Sequence, residues 1–334
     1  MGHRNVPIFI PHLGCPNQCV FCNQRSISGC QTFDPDTVDA QIVQALSTIP
    51  PGEEVEIAFF GGSFTGIDPD LMLRLLDTAQ RYVDAGAVES IRLSTRPDYI
   101  SEEVLERLSR YTVRHIELGI QSMNDSVLRA SRRGHTAKES IAACRAVVSA
   151  GFALTGQMMI GLPASDPASE LETAEQICSL GATSARIYPT VVFRDTPLAR
   201  AYERGEYTPL SLTEAVERSA RVLEVFLRHR VDCLRIGLCA GEDLLDAKKV
   251  CAGPNHPALG ELVWNEYYYH HIYELLKSSG LGGTNVVLRV PRSLVSKVVG
   301  QHRSNLQRLL ASTGTTVKKI LPVGEGEGIA FTLW

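Results

Sequence analysis

Three cysteines stand close together near the start of the chain, Cys15, Cys19 and Cys22 in the segment HLGCPNQCVFCNQ. Their spacing is C-x3-C-x2-C, with Phe21 directly before the last thiol. Three thiolates on one short loop can hold three irons of a [4Fe–4S] cube and leave the fourth iron open to an outside ligand. An open iron can bind a small molecule and pass it an electron. Tetrahedral zinc is the competing reading. It needs four protein ligands and usually takes them from paired CxxC knuckles. His12 offers a fourth donor, so zinc stays open, while the spacing favours the cluster.

A loop of this kind must be carried by a rigid frame. Apolar β-rich runs occur at 6–11, 55–60, 90–95, 113–120, 154–161 and 185–192. Amphipathic helical patterns lie between them at 34–46, 69–85, 101–111 and 136–151. Ser101, followed by Glu102 and Glu103, has the composition of a helix N-cap. Strands this apolar, each followed by a helix, predict an α/β fold with a parallel sheet covered by helices. Six such units suit a partial (β/α)6 barrel with the cysteine loop after the first strand. Loops at the C-terminal strand ends then share one mouth, where barrel chemistry sits. Further helices and a strand, VDCLRIG, follow within 210–280, and SSGLGGT (278–284) reads as a linker.

The second strand runs into FFGGSFTG, where Gly61 and Gly62 would let backbone approach a ligand without a Cβ in the way. The cysteine spacing and Phe21 together resemble the radical S-adenosylmethionine (SAM) superfamily. That resemblance implies a [4Fe–4S] cluster on the three cysteines and SAM on its open iron. It also places the SAM amino group near Gly61, Gly62 and Ser63, where the usual acidic residue is replaced by Ser63. The stretches LSTRPDYI, ELGIQS, RRGHT, GQMMIGLP and RIYPTVVFRDTPLARAYERGEY follow in order. Over roughly residues 5–215 they resemble the catalytic Elongator subunit, whose family modifies the wobble uridine of tRNA. The resemblance implies that Ser94, Arg96 and Gln121 line SAM, with Arg96 on its carboxylate through a charge-assisted bond. Tyr99, Tyr188 and Arg194 are the implied substrate face. The chain departs from that family in its cysteine spacing, in Ser94 where a Glu is expected, and in lacking length for an acetyl-CoA-binding domain after Arg235. It is closer to a shorter bacterial branch. The scattered Cys30, Cys239 and Cys251 read as buried or free thiols rather than an auxiliary cluster. His256 reads as a capping or packed loop residue.

Residues 286–320 pattern as strand, helix, turn, helix, strand around Gly300, Gln301, His302 and Arg303. They resemble a KH RNA-binding domain, whose GxxG loop clamps a nucleic-acid backbone. Here Arg303 stands at the fourth position. Net charge over 334 residues is −4, yet residues 282–334 carry seven Lys and Arg against two Glu. A basic end on an acidic body suits a polyanion.

The chain is therefore expected to hold a radical SAM barrel over 1–281, with its core at about 5–215, and a KH-like unit over 282–334. At 44% hydrophobic and 21% charged, its composition is that of an ordinary globular protein. It shows no membrane-length apolar run and no signal-peptide core, and its nine cysteines suit a reducing compartment, so cytoplasm is expected and no membrane partner. The expected activity is cleavage of SAM to a 5′-deoxyadenosyl radical that modifies a nucleotide in tRNA or rRNA. An electron donor such as flavodoxin or ferredoxin is implied. The rivals are a small-molecule radical SAM enzyme, for example on a tetrapyrrole, and a non-catalytic iron–sulfur RNA-binding or assembly factor.

Overall fold

The computed structural model describes residues 3–15, 19–23, 32–238 and 249–334. Cys30 and Cys239 lie outside them. In chain order the first half contains β1 (His3–Ile10), α1 (Val38–Leu46), β2 (Glu54–Gly61), α2 (Pro69–Asp84), β3 (Ser90–Thr95), α3 (Glu102–Leu108), β4 (Val113–Gln121), α4 (Asp125–Ala130), α5 (Ala137–Ser149) and β5 (Ala153–Ile160). There follow α6 (Pro167–Ser179), β6 (Ser184–Pro189), β7 (Val192–Phe193), α7 (Pro197–Glu203), α8 (Leu212–Arg228), β8 (Asp232–Ile236), β9 (Val250–Ala252) and α9 (Leu259–Ser279). The last elements are β10 (Asn285–Pro291), α10 (Val295–Val299), α11 (Ser304–Thr313), β11 (Thr316–Val323) and β12 (Ala330–Leu333).

The main sheet is parallel, in the order β1-β2-β3-β4-β5-β6-β8, a curled half-barrel that does not close. The expected six strands are present, and VDCLRIG adds β8 as a seventh on the far edge. The run at 185–192 does not continue as one strand. It stops at Pro189, which has no N–H for a ladder, and Val192–Phe193 instead pair antiparallel with β9. Helix starts are fixed locally: Ser101 Oγ accepts from Val104 N at 3.2 Å, as its composition predicts. Thr136 with Glu139 and Ser211 with Glu214 form capping boxes on α5 and α8.

Strand side chains alternate between two environments. Ile57, Ile91, Ile116, Leu118, Leu154 and Ile187 enter the apolar core shared with the helices. Glu56, Arg92, Glu117, Thr155 and Arg186 point the other way and are buried in a polar row. Arg92 donates to Glu56 (2.9 Å) and Glu117 (3.1 Å), and Arg186 donates to Glu117 (2.9 Å). Burial would raise the Glu117 carboxyl, but Arg186 and then Arg92 pull it below the usual carboxylate range.

The C-terminal unit is a three-stranded sheet, β11-β10-β12, with β10 parallel to β11 and antiparallel to β12. Its core joins Leu288, Val290, Val298, Leu306 and Leu309 to Tyr268, Ile272 and Leu276 of α9. That core therefore begins upstream of residue 282, on a helix that also packs against the main core through Trp264 and Tyr267. Among the described residues no helix is long and apolar enough to cross a membrane.

Candidate functional site

The cysteine loop follows β1 and rests on the loop that follows β2. Gly62 N donates to Ile10 O at 2.7 Å and Ser63 N to Leu13 O at 2.9 Å. A Cβ on Gly62 would lie 2.0 Å from Leu13 O, and one on Gly14 would lie 2.2 Å from Ser63 O. Here Gly14 and Gly62 bring two loops together backbone to backbone. Gly61 has φ +107°, a conformation open to glycine, and sits against Ile10. Ser63 is fully buried, with its Oγ 3.6 Å from Cys15 Sγ.

Cys19 is buried, while Cys15 and Cys22 are half-buried. Two distant segments hold the loop between the thiols: Val20 N donates to Ser131 O (3.1 Å) and Leu198 N to Val20 O (2.9 Å). Phe21 packs into the small apolar cluster formed by Val20, Val192, Leu198 and Ala199, which Cys251 also joins. Cys251 thus serves packing here.

Arg96 directly follows β3 and is 2% exposed. Its Nε and Nη2 each meet an Asp98 carboxylate oxygen at 2.9 Å, and Nη2 also donates to Arg133 O at 2.7 Å. Nη1 is buried with no hydrogen-bond partner among the described residues. Burial would lower this guanidinium, but Asp98 and then the nearby Cys19 and Cys15 raise it. Gln121 ends β4 at φ +67° and leaves its Oε1 buried without a partner among the described residues. Ser94 lies lower in the mouth, where its Oγ donates to Glu117 at 3.3 Å and accepts from Gln157 at 3.4 Å.

The segment RRGHT supplies residues with no role expected from sequence. Its side chains alternate: Arg132 and Gly134 are exposed, and Arg133 and His135 are buried. Arg133 Nη1 donates to Cys19 Sγ at 3.3 Å, and Nη2 donates to Gly119 O at 2.6 Å. Burial, and next Arg133, push the His135 imidazole down to about 4, so it is neutral at neutral pH. Two adjacent arginines ahead of a glycine were the available signal. Which of the two arginines turns inward is decided by the turn, where Arg132 takes φ +49°.

Other expected residues fall into place separately. His256 Nδ1 accepts from Ala258 N at 3.1 Å, closing a local turn just ahead of α9. Gly161 and Pro163 line a cavity of about 270 Å3 with Tyr207, Leu210 and Arg218 beside the end of β5. Gly300, Gln301, His302 and Arg303 belong to the C-terminal unit, between α10 and α11. His302 and Arg303 are exposed, with consecutive positive φ of +51° and +63°.

The residues fit a cluster and its ligand. Three thiols, soft donors suited to iron, sit on one loop, and the strand ends around them present buried polar atoms without partners among the described residues. Among the described residues no three ligating side chains converge on a single ion. A cube instead presents a separate iron to each thiolate.

Comparison with known proteins agrees with this geometry. The family model "Radical SAM superfamily" matches residues 9–177, and "Radical_SAM C-terminal domain" matches 182–269. The chain is 28% identical over 207 residues to the tRNA uridine(34) acetyltransferase of Methanocaldococcus jannaschii, covering 55% of this chain and 38% of that protein. It is 26% identical over 191 residues to Elongator complex protein 3 of Saccharomyces cerevisiae, covering 51% of this chain and 35% of the relative. The match therefore spans well under half the length of either relative. An uncharacterised protein of M. jannaschii is 28% identical over 66% of this chain and 70% of its own length. In fold, the chain is similar to the archaeal Methanocaldococcus infernus Elp3 with an N-terminal deletion. The TM-score is 0.61 at 22% identity, over 84% of this chain and 64% of that one. With a family model running through half of its length, the chain belongs to the radical SAM superfamily, enzymes that use a [4Fe–4S] cluster and SAM.

Proposed function

We propose that this enzyme modifies a nucleotide in structured RNA, tRNA or rRNA, by radical SAM chemistry. Cys15, Cys19 and Cys22 hold the cluster. When bound and reduced, it supplies the electron that splits SAM to methionine and a 5′-deoxyadenosyl radical. The chain's own part is to position and to exclude water. Arg96, fixed bidentately on Asp98, keeps Nη1, which has no partner among the described residues, to donate to the SAM carboxylate. Gln121 offers its Oε1, and Ser63 and Ser94 line the approach with Gly61 and Gly62 behind them. Phe21 packs against the loop's apolar cluster and is the proposed aromatic neighbour of the cofactor.

The observation that carries the RNA reading is the βααβ unit joined to the barrel through α9, with His302 and Arg303 exposed on its interhelical turn. A guanidinium on such a turn suits a phosphate backbone, and residues 282–334 are treated as a KH-like unit on that ground. Relatives called tRNA uridine(34) acetyltransferase and Elongator complex protein 3 support tRNA over rRNA. A low-potential electron carrier such as flavodoxin or ferredoxin is the proposed donor, and the proposed place of work is the cytoplasm.

The test is mass spectrometry of nucleosides from separated tRNA and rRNA, in a strain lacking the gene and in its parent. One mass should vanish from one fraction, return with the intact gene, and stay absent with Cys15→Ala. Identical profiles with the gene expressed would overturn the RNA reading in favour of a small-molecule substrate.

A further inference from the structure

We propose that Arg133 is a positioning residue that acts through Cys19 to raise the reduction potential of the cluster. The inference rests on the assignment of the three cysteines as cluster ligands. Three observations carry it. Arg133 is 7% exposed, and its Nη1 lies 3.3 Å from Cys19 Sγ, the most buried of the three thiols. Its aim is fixed from both ends: Nη2 donates to Gly119 O at 2.6 Å, its backbone N donates to Leu128 O at 2.9 Å, and its carbonyl accepts from Arg96 at 2.7 Å. Room for it is built in, since a Cβ on Gly119 would lie 2.7 Å from Arg133 Nη2.

The physics gives the sign. A cluster on three thiolates is anionic, and one electron entering from a low-potential donor adds a further negative charge with no bond made or broken. A buried cation donating to a ligand sulfur stabilises the reduced state more than the oxidised one. The same residue joins the cysteine loop to the ends of β3 and β4, where Arg96 and Gln121 lie. Cluster and SAM-facing side chains are thereby held in one frame.

The test is a potentiometric titration of the anaerobically reconstituted full chain without SAM, followed by the electron paramagnetic resonance signal of the reduced cluster. Arg133→Gln should lower the equilibrium constant for one-electron reduction about tenfold, a midpoint about 59 mV more negative. Arg133→Lys keeps the charge but cannot span both acceptors, and it should fall between Gln and wild type. Arg132→Gln, the same charge change on the exposed neighbour, should leave the midpoint where it is. A wild-type midpoint in both Arg133 variants overturns the proposal, as do equal shifts at Arg132 and Arg133. Where the Gln variant fails to take up iron, the Lys variant decides: a midpoint below wild type supports the proposal and an unchanged one overturns it. Failure of the wild-type chain itself to bind iron would overturn the ligand assignment instead.

Discussion

A single absent methyl group at Gly62 allows the cysteine loop to lie where it does. Its Cβ would stand 2.0 Å from Leu13 O and 2.8 Å from Ile10 O, both backbone atoms that cannot rotate away. Gly62→Ala should therefore displace the loop at a cost of about 1–3 kcal/mol, with lower iron retention after reconstitution. Gly282 has no heavy atom within 4 Å of its would-be Cβ, and Gly282→Ala should change neither. Urea denaturation and iron content check the pair. Equal behaviour of the two variants would show that the close approach is not needed. The double glycine was visible in the sequence, but the partner that demands it, Leu13 in another loop, was not.

At the scale of elements, α9 is the joint of the molecule. Its Tyr268, Ile272 and Leu276 build the C-terminal core, and Glu266 reaches Arg308 of α11 with both carboxylate oxygens. Asn305, buried on α11, donates to Asn265 O at 2.8 Å. Burial would raise the Glu266 carboxyl, but hydrogen bonds from His270 and Arg308 outweigh it and hold it at about 2, against an ordinary 4.5. A depressed carboxyl contributes its stability in full above its unfolded value and loses it as pH falls through the folded one. Glu266→Gln should therefore cost on the order of 2 kcal/mol at pH 7. The gap should close below pH 4.5 as the wild-type carboxyl is protonated toward its folded value of about 2. Denaturant titrations at several pH values check this. A gap independent of pH would mean that the charge is not what joins α9 to α11.

Across the whole molecule, charge is divided between an acidic body and a basic end, and the proposed RNA contact depends on that division. Arg303 holds a left-handed conformation (φ +63°) at the exposed turn and places its charge where a GxxG loop would have only backbone. Arg303→Glu should weaken tRNA binding about three- to tenfold at moderate salt and flatten its salt dependence. Filter binding at two ionic strengths measures both. Unchanged affinity would locate the RNA contact elsewhere.

The sequence by itself determined the sheet order's raw material, the six β/α units, the cysteine triplet and the helix caps, because these depend on periodicity and on neighbours a few residues apart. Tertiary structure decided what depends on distant contacts. VDCLRIG became a seventh parallel strand because the edge of β6 was open to it, and Val192–Phe193 left β6 at Pro189 to pair with Ala252 and Val250 of β9. Arg133 turned inward to Cys19, and Arg96 locked onto Asp98. The apolar pattern fixes which face of an element is buried. Which polar groups meet inside, across strands and loops, is set only when the sheet curls and brings their ends together.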